Sequence, residues 1–340
     1  MRLVIDGFGK FLGVKGETLV VKETGNTLQR ISPQELDQVI ISGKGSVSTD
    51  ALQLLAKHGV DVLIVDFRGE VQARLSSPMM RTVSTRREQY YAFQDHRGIQ
   101  IAKAIVEAKI KNQAATLATL SKARKDTDQD LAAALYQSAQ DMKKFAEQVT
   151  SVAETSLDLG RNLLMNLEGQ AAKLYWEALA KLFGPEWHFE GRSGRYATDP
   201  INAMLNYGYG VLFGETWRAV HYAGLDPYGG FLHADRPGKA SMVLDLMEEF
   251  RAQVVDKQVV KFVTKRIVTP ASFELIDGVC QMRDVVRKLY LSEILEKLED
   301  EVRFGEMKLS WSELILFQAR QLAKYLRGEI SSYEGFWQRW

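Results

Sequence analysis

The N-terminal part of the chain, up to about residue 75, alternates short apolar runs with glycine-containing turns. Such runs, rich in valine, isoleucine and leucine, are typical of β-strands, and their regular spacing predicts a small sandwich or a curled sheet. One segment, STDALQLLAKHG, has a helical pattern instead; Thr49 or Asp50 can cap its start and Gly59 can end it. The predicted strands lie in MRLVIDG, KFLGVKG, ETLVVKETG, TLQRISP, LDQVIISG, VDVLIVDFRGE and VQARLSS.

From about Ser84 onward, apolar residues recur every three to four positions, which is the period of an amphipathic helix. Asp126 and Asp128 can cap one of these helices. The change of pattern places a boundary near residues 76–85. We therefore predict an α+β protein, with a small β-sandwich-like domain at residues 1–80 and a larger all-α-helical domain at residues 86–340.

One stretch, from Gly224 to Phe250, joins an irregular segment to a helix. Glycine and proline recur through its first half, which is therefore predicted to be a loop, and His233 lies inside it. Farther on, a helical wheel groups Asp245, Glu248 and Glu249 opposite the apolar side chains. An imidazole near carboxylates is the ligand mixture of a hard divalent ion. The simpler interpretation is that these carboxylates form the solvent-exposed face of the helix.

The segment from Thr155 to Phe183 places a carboxylate among apolar residues. On a helical wheel, Glu168 lies in the middle of the apolar stripe rather than opposite it. An isolated buried charge is strongly unfavourable, so this carboxylate has to be paired, protonated or bound to a metal. Two interpretations stay open: a structural ion pair with an Arg or Lys, and a metal ligand.

A basic, glycine-containing loop at residues 191–200 carries Arg192 and Arg195, and the helix that follows it carries Asn202 and Asn206. Several glycines on that helix are explained by tight packing. Two guanidinium groups beside amide side chains suit contacts to phosphate better than they suit packing.

A second basic feature follows the carboxylate-bearing helix. Lys257, Lys261 and Lys265 recur at four-residue spacing, which places them on one helix face. Such a stripe can lie along a phosphate backbone. The alternative is an ordinary solvated face.

The composition narrows the class of protein without naming a partner. Of 340 residues, 46% are apolar and 26% are charged, which is ordinary for a soluble globular protein. Lys plus Arg number 44 and Asp plus Glu number 43, so the net charge favours no polyanionic partner. The lone Cys280 excludes an internal disulfide framework and suits a reducing cytoplasm. We see no membrane-spanning run and no signal peptide.

Four motifs in order, NLEGQAAKLYW, DPINAMLNYGYGVL, GLDPYGGFLH and SMVLDLMEEFR, resemble the CRISPR adaptation integrases, the Cas-one endonuclease family. The ALQLLAKHGVDVLIVD and QARQLAKYLRGE segments are also similar to that family. The resemblance covers essentially the whole chain, and the order and separation of the motifs make it specific.

The resemblance implies a metal site and an activity. Carried over by motif, the metal-binding and catalytic residues are Glu168, His233 and Glu248, with Asp245 as a further acidic position near the metal. Some relatives have Asp in place of Glu248, which also supplies a carboxylate. The expected ion is Mg²⁺ or Mn²⁺, and the expected chemistry is phosphodiester cleavage and transesterification that inserts short DNA fragments into a CRISPR array.

The resemblance also implies partners. The expected partners are double-stranded DNA, the small Cas-two adaptation protein and a second copy of this chain, paired through the β domain. The helical domain is expected to be catalytic, and DNA contacts are predicted for the two arginines, the two asparagines and the three lysines of the basic features. The alternative from a different class is a non-catalytic DNA-binding scaffold, in which Glu168 forms a structural ion pair.

Overall fold

The structure is a computed structural model that describes residues 1–66, 68–76, 83–194 and 196–338. Two compact units emerge, Met1–Arg81 and Thr82–Trp340. The first is built largely of strands and the second largely of helices, so the predicted fold class is confirmed. No helix in the described part of the chain combines the length and the apolar character that crossing a membrane requires.

The described residues of the first unit form two four-stranded sheets. In one sheet, in the order β1-β5-β7-β8, the first three strands run parallel and the last runs antiparallel. The other has the order β4-β3-β2-β6, antiparallel except for the β2–β6 pair. The strands are β1 Arg2–Asp6, β2 Lys10–Lys15, β3 Thr18–Glu23, β4 Asn26–Ile31, β5 Gln38–Ser42, β6 Gly45–Val47, β7 Asp61–Val65 and β8 Val71–Leu75.

Both sheets contribute to one apolar core in this unit. Val39 of β5, Leu12 of β2 and Leu55 of helix α1 (Thr49–Lys57) are all buried in it. The sequence patterns predicted seven of the eight strands and the helix; the short strand β6 was not predicted. The N-cap of α1 is Ser48, not Thr49 or Asp50, because the Ser48 hydroxyl accepts from the backbone N–H of Ala51.

The second unit is a helical assembly around a single large core. Asp128 caps α4 as predicted, with its carboxylate accepting from the backbone N–H of Leu131. The helices are α2 Ser84–Ala92, α3 His96–Lys122, α4 Gln129–Ser151, α5 Leu157–Leu182, α6 Pro200–Tyr222, α7 Ser241–Met247, α8 Lys257–Thr264, α9 Asp284–Glu299 and α10 Trp311–Leu326.

Two short hairpins interrupt the helices and were not predicted from the sequence. They are β9 Phe273–Ile276 with β10 Val279–Met282, and β11 Glu301–Phe304 with β12 Met307–Ser310. Each turn contains a glycine at positive φ, Gly278 or Gly305, which suits a tight reversal between short strands.

The region after α7 departs from the uniform helix that the wheel assumed. Helix α7 ends at Met247, turns follow, and residues Ala252–Asp256 form a π-helical segment before α8 begins. A π-helical turn adds a residue to the helical repeat, so it shifts the facing of every side chain beyond it. Glu248 and Glu249 lie in the turn between these segments, so their side chains do not follow the helical wheel of α7.

Candidate metal centre

The loop that carries His233 is held in place by neighbouring elements. Gln89 of α2 donates to the backbone carbonyls of Asp226 and Gly229, at 3.0 and 2.7 Å, and accepts from the backbone N–H of Asp226. A Cβ on Gly230 would lie 2.6 Å from the Cβ of Ser241, so only glycine allows this approach to α7. Residues 224–240 contain no helix or strand, as predicted.

Asp245 fixes the imidazole of His233. Its carboxylate accepts from the backbone N–H groups of Phe231, Leu232 and His233 at 2.6, 2.9 and 3.0 Å. It also lies 2.7 Å from Nδ1 of His233, and because a carboxylate can only accept, Nδ1 carries the proton. This tautomer leaves the lone pair on Nε2, the nitrogen on the side of Glu248, free to bind a cation.

Glu248 is buried, at 4% exposure, among positively charged groups. Its Oε2 lies 2.7 Å from Nζ of Lys109 on α3, and its Oε1 lies 3.3 Å from the guanidinium of Arg251. Burial works to raise the pKa of Glu248, but the positive charges of Arg251 and Lys109 outweigh it and lower the pKa to about 2. This carboxyl group is therefore ionised throughout the physiological range.

Glu168 reaches the same centre from α5. Its side chain is 22% exposed, so it is less buried than its position in the apolar stripe predicted. Its Oε1 accepts from Nζ of Lys109, the same ammonium that contacts Glu248. The sequence left open whether Glu168 is paired with a cation or binds a metal, and in this structure it is paired with Lys109.

Three of the predicted ligands therefore converge, although they do not form a closed ligand set. Nε2 of His233 lies 4.0 Å from Oε1 of Glu248, and Lys109 joins Glu248 to Glu168. Among the residues that the structure describes, no three His, Cys, Asp or Glu side chains are gathered closely enough to hold a metal ion as they stand.

The donor chemistry nevertheless fits a hard divalent cation. Oε2 of Glu248 is buried without a well-directed hydrogen bond, and it faces a positive charge. Two carboxylates and one imidazole with its lone pair available are ligands that Mg²⁺ or Mn²⁺ accepts. The fourth candidate, Asp245, has both oxygens occupied by the four hydrogen bonds to the His233 loop.

The next carboxylate along the chain, Glu249, lies in different surroundings. It is fully buried and accepts from the hydroxyl of Tyr333 at 2.5 Å, the amide of Gln318 at 3.0 Å and the backbone N–H of Phe336 at 2.7 Å. Burial raises its pKa from the ordinary 4.5 to about 7, although these hydrogen bonds act in the opposite direction. Glu249 thus ties the C-terminal segment to the core instead of lying on a solvent-exposed face.

The basic loop is organised by the asparagines of α6. The Arg192 guanidinium donates to Asn202 at 3.0 Å and to Asn206 at 2.6 Å. Asn202 is 1% exposed and also donates to Asp199 and to the carbonyl of Gly191. The DNA contacts assigned to Arg192, Asn202 and Asn206 stay a prediction, and Arg195 lies outside the described residues.

The lysine stripe differs from one residue to the next. Burial and the charge of Lys297 lower the pKa of Lys257 to about 8. Lys261 forms an ion pair with Glu293 on α9, whereas Lys265, at the end of α8, is exposed. The stripe is therefore not one uniform cationic face, and its contact with DNA stays a prediction.

Two cationic residues of the centre, Lys109 and Arg251, were not predicted from the sequence. Lys109 belongs to a row of polar residues on α3, with Asn112 and Thr116, at the three- and four-residue spacing of one helix face. The other residues of the row are completely buried, and polar residues on a buried face were the signal available in the sequence. No comparable pattern indicated Arg251.

The fold and the centre define a class: an α+β protein whose helical unit carries a carboxylate–imidazole site. A family model described as CRISPR associated protein Cas1 matches residues 3–296. A CRISPR-associated endonuclease Cas1 of Archaeoglobus fulgidus is 44% identical over an alignment of 346 positions, and both chains are covered in full. The chain therefore belongs to the Cas1 family.

Solved structures agree with this fold. A casposase bound to an integration product has a TM-score of 0.81 and 26% identity, over 98% of this chain and 92% of the casposase. A chain of a Cas6-RT-Cas1–Cas2 complex also has a TM-score of 0.81; it covers all of this chain and 36% of that longer one. At 22% identity, this second similarity supports the fold alone.

Proposed function

We propose that this protein is a metal-dependent DNA endonuclease and integrase of CRISPR spacer acquisition. It breaks and rejoins phosphodiester bonds, so that short DNA fragments enter a CRISPR array. Membership of a family with a relative named as an endonuclease, at 44% identity, supports the nuclease activity. The similarity to a casposase bound to an integration product supports the strand-joining activity.

One observation carries the metal dependence: the convergence of two carboxylates and one oriented imidazole at the end of α7. Glu168, Glu248 and Nε2 of His233 would hold the ion, which we propose is Mg²⁺ or Mn²⁺. When bound, such an ion neutralises the charge that develops on the phosphate as the bond to phosphorus changes. The attacking group is a DNA 3′-hydroxyl in integration and water in nicking.

The residues around these ligands orient them. Asp245 was predicted as a further metal-binding position, but its four hydrogen bonds support a different role, in which it holds His233 in the ligand-ready tautomer. Arg251 lies 3.3 Å from Glu248 and 4.6 Å above the ring of Tyr209. That cation keeps Glu248 ionised and holds its side chain from one side.

The partners we propose are double-stranded DNA, Cas2 and a second copy of this chain. DNA is supported by the casposase bound to an integration product, whereas Cas2 as a partner follows from the family resemblance of the sequence motifs. Pairing through the N-terminal unit follows from the family resemblance and from sheet edges that need covering. Of the lysine stripe, the exposed Lys265 is the residue best placed to contact phosphate.

A non-catalytic DNA-binding scaffold is the second candidate, and the ion pair between Lys109 and Glu168 is the observation that favours it. A scaffold needs that pair for stability and has no use for an oriented His233. The endonuclease names within the family weigh against it.

Strand transfer of a short DNA duplex into a supercoiled plasmid, with and without Mn²⁺, tests the proposal. Glu168→Gln should abolish transfer and the gain in melting temperature that Mn²⁺ gives, since a ligand stabilises only the state that binds it. DNA binding should be retained, because phosphate contacts come mainly from Arg and Lys. Glu177→Gln, an exposed change on the same helix, is the matched control. A Glu168→Gln protein that still transfers strands would contradict the proposal.

A further inference from the structure

The ammonium of Lys109 lies between the two carboxylates of the candidate metal centre. It donates to Oε1 of Glu168 and lies 2.7 Å from Oε2 of Glu248. The lysine side chain is 14% exposed, and the three groups come from three different elements: α3, α5 and the end of α7. One cation therefore bridges two acids that are distant in the sequence.

This bridge is the arrangement that a divalent ion would take up. Two carboxylates this close, with no cation between them, would repel each other in a poorly hydrated environment. A lysine supplies one positive charge on a flexible four-carbon stem, so its ammonium can leave without a change in the backbone. An ammonium and a metal ion cannot both lie between the same two oxygens, because both are positive and both need those oxygens.

We propose that Lys109 is a positioning residue that holds Glu168 and Glu248 together in the metal-free protein and gives way when the ion binds. The inference rests on the proposed function, since it concerns the same centre. The measured affinity for the ion then includes the free-energy cost of displacing the ammonium of Lys109 from the two carboxylates. Removing the lysine charge should therefore strengthen metal binding, although the metal-free protein loses stability.

Arg251 does not have this role. Its guanidinium lies 3.3 Å from Glu248 Oε1 and also covers the ring of Tyr209. It therefore contacts Glu248 from the side, and among the described residues it forms no ion pair with Glu168. Lys111 provides the natural control, because it lies two residues after Lys109 on the same helix. It pairs with Glu107 and covers the ring of Trp337 instead of contacting the centre.

The first experiment compares Lys109→Met with Lys111→Met. Melting is followed in EDTA, and the Mn²⁺ dissociation constant is measured by titration calorimetry or by electron paramagnetic resonance. Lys109→Met should melt below wild type in EDTA and bind Mn²⁺ about tenfold more tightly, because a positive charge has left the site. Lys111→Met should bind Mn²⁺ as wild type does. Equal or weaker Mn²⁺ binding by Lys109→Met would overturn the inference.

A second experiment needs only the wild-type protein, and it decides the question if Lys109→Met does not fold. Lysine acetylation by acetic anhydride is quantified by mass spectrometry with and without Mn²⁺, and Lys111 serves as the internal reference. Mn²⁺ should raise the acetylation of Lys109 relative to Lys111, because the displaced ammonium loses both carboxylate partners. Unchanged or lower labelling of Lys109 would overturn the inference while leaving the metal site in place.

These experiments distinguish a failure of the proposed metal site from a failure of the proposed role of Lys109. If wild-type protein neither binds Mn²⁺ nor gains melting temperature from it, the metal site of the proposed function fails, and the inference fails with it. If the wild type binds Mn²⁺ but the lysine tests give the contrary results, only the role of Lys109 is lost.

Discussion

Glu248 and Glu249 are adjacent in the chain and equally removed from water, yet they lie in opposite environments. Glu248 faces Lys109, Arg251 and His233, and its pKa falls to about 2. Glu249 accepts from neutral donors, namely Tyr333, Gln318 and the backbone of Phe336, and its pKa rises to about 7. The turn that ends α7 places the two side chains against different parts of the core.

Burial alone does not make a carboxylate functional. Glu249 has the raised pKa that is often sought in a catalytic acid, but it contacts the C-terminal segment and serves to hold that segment. Glu248 is kept charged by cations, and a charged, under-coordinated oxygen is what a metal ion needs. Neighbouring cations distinguish Glu248 from Glu249, whose hydrogen-bond donors are neutral.

The largest expected difference between Glu248 and Glu249 is the effect of their substitution on strand-transfer activity. Glu248→Gln should lower strand transfer by about 100-fold or more, since it removes a ligand charge at the reacting phosphate. Glu249→Gln should stay within a few-fold of wild type, because glutamine can still accept from Tyr333 and Phe336. The assay is plasmid strand transfer with Mn²⁺, below the melting temperature of both variants. Equal losses of strand-transfer activity in the two variants would contradict the proposal that Glu248, and not Glu249, binds the metal ion.

The next largest effect concerns the segment that Glu249 holds. Phe336 is 2% exposed and stacks on Phe250 with ring centroids 5.7 Å apart, so Phe336→Ala should lower the free energy of unfolding by about 3–5 kcal/mol. Urea unfolding in EDTA measures this loss, with the exposed Leu275→Ala as the control. The Mn²⁺ dissociation constant should change little. A large change in Mn²⁺ affinity would show that the segment also shapes the metal centre.

The two acids should have opposite effects on stability as the pH changes. The folded-state pKa of Glu249 is raised from 4.5 to about 7, so its contribution is fully present below pH 4.5 and is lost as the pH rises to 7. Glu249→Gln should remove a decline of up to about 3 kcal/mol in that interval. Glu248, with a pKa lowered to about 2, contributes stability above pH 4.5 that is lost as the pH falls toward 2.

Urea unfolding of metal-free protein at a series of pH values measures both slopes. Wild type and Glu249→Gln should diverge between pH 4.5 and 7, whereas Glu248→Gln should differ from wild type in its slope below pH 4.5. If the free energy of unfolding varied with pH in the same way for all three proteins, the pKa values of Glu248 and Glu249 would not be shifted in opposite directions.

The smallest expected effect comes from one hydrogen bond. Tyr333→Phe removes the hydroxyl that donates to Glu249 at 2.5 Å, which should cost about 1.5–3 kcal/mol at pH 8, where that carboxylate is ionised. The loss should shrink at pH 5, because the protonated acid depends less on donors. Tyr136→Phe, at an exposed tyrosine of α4, is the matched control. A loss that is independent of pH would show that Glu249 does not titrate in this range.

The sequence predicted the fold well because its signals are local. Strand-length apolar runs marked the first unit, helical periodicity marked the second, and Asp128 at the start of α4 was a recognisable cap. The parallel pairing of β1, β5 and β7 was beyond such reasoning, because it depends on which distant runs meet.

The site was predicted in part. The helical wheel drew attention to Glu168, which the structure pairs with Lys109. The wheel also treated residues 243–254 as one regular helix, and the turn and the π-helical segment break that regularity. In the structure, the carboxylates of Asp245, Glu248 and Glu249 are all buried instead of forming one solvent-exposed face. Lys109 was missed because its long side chain reaches a partner 59 residues away, which no local pattern reveals.

We propose that Glu168, His233 and Glu248 together hold one divalent ion. Anomalous diffraction from crystals soaked in Mn²⁺ tests it most directly. We expect a single anomalous peak within about 2.3 Å of both carboxylates and of Nε2 of His233, with Lys109 moved away and Asp245 still hydrogen-bonded to Nδ1 of His233. A peak on Asp245, or no peak while the ammonium of Lys109 stays between Glu168 and Glu248, would contradict it.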